Sequence, residues 1–165
     1  MTVSQTIDGY ALASDEGEAI WFNGGLCIVK ASGPETNGRL AAVEFRVPAG
    51  FAAPLHVHHH DDEIFLVLSG DVRFRLGEDV VEASAGSLVY GPREIGHSFT
   101  VDTEARLLLL FAPAGTEMFF REAGKPARWL GQPPADEPLI DRETLIKLAA
   151  GHGQDIIGPP LGPKS

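Results

Sequence analysis

Apolar and polar positions alternate with a period of two in several stretches between residues 40 and 76. In LAAVEFRV, residues 40–47, Val43, Phe45 and Val47 take one face while Glu44 and Arg46 take the other. In DVRFRL, Val72, Phe74 and Leu76 point inward and Arg73 and Arg75 outward. AIWFNGGLCIVKA, residues 19–31, reads as two strands around an Asn-Gly-Gly turn. Pro34–Gly38 reads as a loop, and IFLVL from Ile64 as an apolar strand. Val80-Val81 starts a short return, and RLLLLF, residues 106–111, suits a strand buried on both faces. Turns recur near Gly70, Gly77, Gly86, Gly91 and Asp102, close enough together for an all-β sandwich or barrel.

The ending changes character. Thr116–Gly124 reads as a short helix with Thr116 as N-cap and Gly124 as stop. Lys125–Pro138 holds four prolines and reads as an extended linker. Asp141–Ala150 fits an amphipathic helix capped by Asp141, with Leu145, Leu148 and Ala149 on one side and Gly151 as its end. The tail HGQDIIGPPLGP is expected to be irregular. The chain thus divides into a polar arm over 1–17, a barrel over 18–124, and a linker, helix and tail over 125–165.

The candidate chemistry sits between Gly50 and Gly70, in GFAAPLHVHHHDDEIFLVLSG. His56 and His58 are two apart, so on a strand both imidazoles leave one face. Glu63 stands at an odd offset and joins them only if the chain reverses through His59-His60-Asp61-Asp62, which suits a turn. Two imidazoles and a carboxylate on one point predict a metal. His59 and His60 are read as turn residues and His152 as a surface residue. Cys27, in the apolar run GLCIV, is read as a small buried hydrophobe rather than a nucleophile.

A second stretch, GSLVYGPREIGH over residues 86–97, joins the first. Together they resemble the paired signatures of the cupin superfamily. The first, G-x5-H-x-H-x4-E-x6-G, is met by Gly50, His56, His58, Glu63 and Gly70. The second, G-x5-P-x-G-x2-H-x3-N, is met by Gly86, Pro92 and His97, and departs at Glu94 and Val101. The resemblance spans residues 40 to 112. It implies a double-stranded β-helix, or cupin jelly-roll barrel, carrying short C-terminal helices, with His97 as fourth ligand. The ending resembles the single-domain, quercetin 2,3-dioxygenase-like cupins.

Three imidazoles and a carboxylate leave two octahedral positions open and suit iron, nickel, manganese, cobalt, copper or zinc rather than calcium or magnesium. Asp61, Asp62 and Glu94 are candidate acceptors for the second ring nitrogens. In quercetinase-like relatives the glutamate matching Glu63 serves as ligand and general base, so the resemblance implies a dioxygenase acting on a flavonol-like or other enolic or phenolic compound, with dioxygen as co-substrate. The alternatives are a metal-dependent cupin that binds a small molecule without turnover, and a cupin isomerase or lyase. Parity places Phe45, Phe65, Val67, Phe99, Leu108 and Leu110 around the metal, with Phe51 and Tyr90 at the mouth. Arg73, Arg75 and Arg93 fall at outward or loop positions, which favours apolar substrates over anions.

Composition narrows the partners. The net charge of −10 over 165 residues argues against a basic surface for nucleic acid or anionic membrane. No stretch approaches the roughly 20 apolar residues of a membrane span, and the N-terminus lacks the pattern of a signal peptide. The expected location is the cytoplasm. A homodimer formed through the arm and the 19–31 hairpin is expected by analogy with single-domain cupins.

Overall fold

The structure is a computed structural model that describes residues 8–164; residues 1–7 of the arm lie outside the described residues. Two antiparallel sheets face each other. Strands β1 (Glu18–Phe22), β2 (Gly25–Ala31), β3 (Ala41–Val47), β5 (Asp62–Ser69), β8 (Leu88–Gly91), β10 (Ala105–Ala112) and the two-residue β11 (Lys125–Pro126) form one sheet, ordered β11-β1-β2-β3-β10-β5-β8. Strands β4 (Leu55–His58), β6 (Val72–Leu76), β7 (Asp79–Ala83), β9 (His97–Val101) and β12 (Gln154–Gly158) form the other, ordered β12-β4-β9-β6-β7. Three short helices accompany them: α1 (Gly33–Thr36), α2 (Glu117–Ala123) and α3 (Arg142–Gly151). This is the double-stranded β-helix of an all-β jelly roll.

The alternation sets the interior. Val43, Phe45, Val47, Phe65, Val67, Val72, Phe74, Phe99, Val101, Leu107, Leu109 and Phe111 are buried in one core between the sheets. The Asn-Gly-Gly turn forms as read: Asn23 (φ 48°) and Gly24 (φ 93°) both take positive φ, which matches the turn to the twist of β1 and β2. The outer edge of that hairpin is paired with β11. Residues 8–17 lie across the sheet's outer face, where Lys30 Nζ donates to the carbonyls of Ala13 and Ser14 and Arg46 pairs with Asp15.

Several expectations are corrected. The 34–38 segment is not a plain loop: Ser32 and Glu35 form a capping box over α1, with Pro34 in its first turn. Residues 106–111 are not buried on both faces. Arg106 faces out to Glu44, so Leu108 and Leu110 share that outer face while Leu107, Leu109 and Phe111 fill the core. Glu44 is itself buried, held by Arg46 and Arg106. Thr116 does not cap α2 with its side chain; the buried Glu117 carboxylate instead accepts from the Gly33 and Gly115 amides, 2.7 Å each, tying α2 to α1. Asp141 does cap α3, accepting from Thr144 N at 2.9 Å, and the helix runs through Gly151.

The largest correction is the tail. Gln154–Gly158 is a strand, paired along β4 so that Gln154 faces His58 and Ile156 faces His56. The last segment therefore belongs to the barrel. Beyond it, Thr100 donates to Leu161 O and Arg73 to Gly162 O, which fastens the terminus across β9 and β6. Among the described residues no helix is long and apolar enough to cross a membrane.

Candidate metal centre

Four side chains from three strands converge. β4 projects His56 and His58 from one face, as their spacing requires. The 59–61 turn reverses the chain, and Glu63, second in β5, points back at them. His97 opens β9 and lies directly across from His56. One ligand atom from each of the four can be chosen so that all lie within 4.8 Å of one another. Glu63 Oε2 is 2.8 Å from His97 Nε2, 3.1 Å from His58 Nε2 and 3.9 Å from His56 Nε2.

The far ring nitrogens have acceptors: His56 Nδ1 at Pro54 O (2.8 Å), His58 Nδ1 at Asp61 Oδ2 (2.9 Å) and His97 Nδ1 at Ile95 O (3.3 Å). Acceptors at Nδ1 favour the tautomer that leaves the Nε2 lone pair for an ion. Borderline nitrogen donors with one carboxylate fit a divalent transition metal. Thus His56, His58, Glu63 and His97 can hold one ion.

Of the three candidate acceptors only Asp61 serves a site histidine. It is buried, and Thr116 Oγ1 donates to its carboxylate at 3.2 Å. Asp62 binds Arg93 instead, and Glu94 binds His59. His59 is held outward between Glu94 and Asp155, and neither it nor His60 joins the cluster. His152 is half-buried rather than free on the surface: it bonds Glu122 and lies against Phe119. Glu94 adopts φ 65°, the left-handed conformation that the signature glycine would take, so the turn before His97 survives that departure.

Without a metal, the electrostatics are divided. Burial lowers the His58 pKa, but hydrogen bonds to Asp61 and Glu63 outweigh it and raise the value to about 10. Burial, with the charge of His97, pushes His56 down to about 3. Burial would raise Glu63, yet its bonds from His58 and His97 hold it well below the usual carboxylate range.

A cleft enclosing about 600 Å³, open mouth included, leads to the cluster. Phe45, Phe51 and Phe99 line it as expected. Phe65 and Val67 lie in the core, Phe65 packing under the His97 ring at 5.8 Å between centroids. Tyr90, Leu108 and Leu110 are on the outer face, because Tyr90 pairs with Ile64 and Leu108 and Leu110 share the parity of Arg106. The walls that sequence reasoning missed are Phe22 and Phe111, Phe119 and Phe120 from α2, Leu145 and Ala149 from α3, and Gln154 and Ile156 from β12. Phe111 had a signal, since Arg106 at the head of its run sets the parity. Among the described residues none that lines it is Lys or Arg.

The model of the family described as "Cupin domain" matches residues 43–113 of this chain, the stretch that carries all four residues of the cluster. Its relatives carry several chemistries. It is 27% identical over 142 residues to quercetin 2,3-dioxygenase of Bacillus subtilis; the match covers 86% of this chain but only 42% of that protein's length. Among solved structures, KdgF from a Halomonas species superposes with a TM-score of 0.60 at 21% identity, covering 67% of this chain and 99% of that one. A predicted oxalate decarboxylase of Thermotoga maritima gives a TM-score of 0.58 at 18% identity, covering 63% and 99%. At these identities the structural matches speak for the fold.

Proposed function

We propose that this protein is a metal-dependent cupin enzyme, a dioxygenase acting on a flavonol-like or other enolic or phenolic compound. The observation that carries this reading is the opening of the His56, His58, Glu63 and His97 cluster into an aromatic cleft that, among the described residues, no Lys or Arg lines. Phe22, Phe45, Phe51 and Phe120 offer ring faces and edges to a flat apolar molecule. An anion such as oxalate would need Arg or Lys in the cleft to hold it. The relative named for quercetin supports the same substrate class.

A bound divalent transition ion would supply Lewis acidity and open positions for substrate and dioxygen. The protein's own part is threefold. The aromatic walls bind the rings and exclude water, which strengthens polar interactions at the cluster. The Nδ1 acceptors fix the three imidazoles. Glu63, ionised at neutral pH, accepts the proton of a substrate hydroxyl brought within hydrogen-bond reach.

The test is oxygen uptake by metal-loaded protein with quercetin and simpler enols, alongside Glu63→Gln. Uptake proportional to substrate consumed, lost in a variant that still holds metal, supports both parts. Uptake that persists in metal-loaded Glu63→Gln removes the base role, and no uptake with any enol or phenol removes the dioxygenase.

A further inference from the structure

The polar side chains of the cleft have unequal commitments. Thr116 spends its hydroxyl hydrogen on Asp61, and Asn23 spends its carbonyl on the Ile140 amide. Gln154 is buried, yet its one side-chain hydrogen bond among the described residues is a long one, 3.5 Å from Nε2 to Thr116 Oγ1. A primary amide offers two donors and an acceptor with two lone pairs, so most of its capacity is unmet. Gln154 Oε1 is not among the side-chain atoms sealed from solvent without a partner, so its unmet capacity is open to the cleft that it lines, where an apolar side chain of similar length would suit an aromatic wall better.

Its position is set by the backbone. Gln154 is paired directly opposite His58 across β12 and β4, and residues so paired leave the same face of a sheet. The amide therefore stands beside the ligand cluster, on the wall of the cleft. Pockets of this kind orient an apolar ligand with a few fixed polar groups.

We propose that Gln154 is a specificity-determining residue, whose amide holds a further oxygen of the substrate while the enol or hydroxyketone oxygens are presented to the cluster. This rests on the proposed enol or phenol substrate and narrows it to compounds bearing an additional hydroxyl or carbonyl beyond the enol or hydroxyketone group that meets the metal site. The amide binds either group: its carbonyl accepts from a hydroxyl, and its NH2 donates to a carbonyl. The C-terminal strand thereby belongs to the substrate site as well as to the fold.

The test compares two probes with the same 3-hydroxy-4-ketone, 3-hydroxyflavone and the more hydroxylated quercetin, binding to cobalt-loaded protein. Tryptophan fluorescence and the cobalt spectrum report binding without turnover. Wild type favours quercetin, and Gln154→Met removes about tenfold of that preference, the worth of one net hydrogen bond. Affinity for 3-hydroxyflavone, cobalt stoichiometry and melting temperature stay unchanged. Gln154→Asn, which withdraws the amide by one methylene, gives the same loss should the Met variant fail to fold. A quercetin preference undiminished in the folded variant, or none in wild type, overturns the role of Gln154 and leaves the enzyme reading standing. Binding of neither probe by wild type overturns that reading and this inference with it.

Discussion

Metal uptake at this site must expel a proton from His58. Its two nitrogens lie 2.9 Å from an Asp61 oxygen and 3.1 Å from a Glu63 oxygen. Carboxylates there can only accept, so the metal-free ring carries hydrogen on both nitrogens, in keeping with a pKa raised to about 10. An ion at Nε2 needs that lone pair, and the proton leaves. His56, pushed down to about 3, is already neutral at pH 7, and Glu63 is already ionised, so these two release none. Each proton released per ion makes apparent affinity rise tenfold per pH unit on the alkaline side of neutrality, about 1.4 kcal/mol per unit, and His58 supplies at least one. Calorimetric titration of Zn²⁺ into metal-free protein at pH 8, in two buffers of different ionisation enthalpy, counts the proton. Asp61→Asn takes away one of the two anions and brings the count below that of wild type. A wild-type release near zero, with affinity flat between pH 7 and 9, would refute this reasoning.

Three further outcomes follow from the same geometry. A histidine whose pKa is raised by folding stabilises the metal-free protein fully below its ordinary value of 6.5, and this contribution is lost as pH climbs through about 10. Metal-free protein should melt lower at pH 9.5 than at pH 7, and Asp61→Asn should flatten the trend; thermal melts across that range check it. Phe120→Ala removes a ring that is 6% exposed and packs edge-on to Phe22 and Phe45, at a cost of about 3–5 kcal/mol; a loss below about 1 kcal/mol in urea unfolding would show the ring to be dispensable. Gly124→Ala places a Cβ 2.7 Å from Trp21 O and 2.8 Å from Phe120 O. Its overlap should cost about 1–3 kcal/mol in the same assay.

The ligand set was legible because it rests on local rules: strand parity joined His56 to His58, and a polar turn explained the odd offset of Glu63. His97 came only through resemblance, since its approach to His56 depends on pairing strands far apart in the chain. The walls of the cleft were less legible. In RLLLLF an apolar outer face, where Leu108 and Leu110 meet Leu66 and Ile64, hides the alternation that Arg106 would have revealed. The tail was missed because DIIG is short and flanked by Gly and Pro, and only the exposed edge of β4 makes it a strand. That same pairing carries Gln154 to the site, so no local pattern could have marked it.

The most direct test of the central claim is the metal content of the protein, purified without added metal or a histidine tag, beside His56→Ala and His97→Ala. Close to one transition-metal ion per chain, lost in both folded variants, is the result predicted here. Protein that stays empty when offered iron, nickel, manganese, cobalt, copper and zinc in turn, or that keeps its ion in both variants, would contradict it.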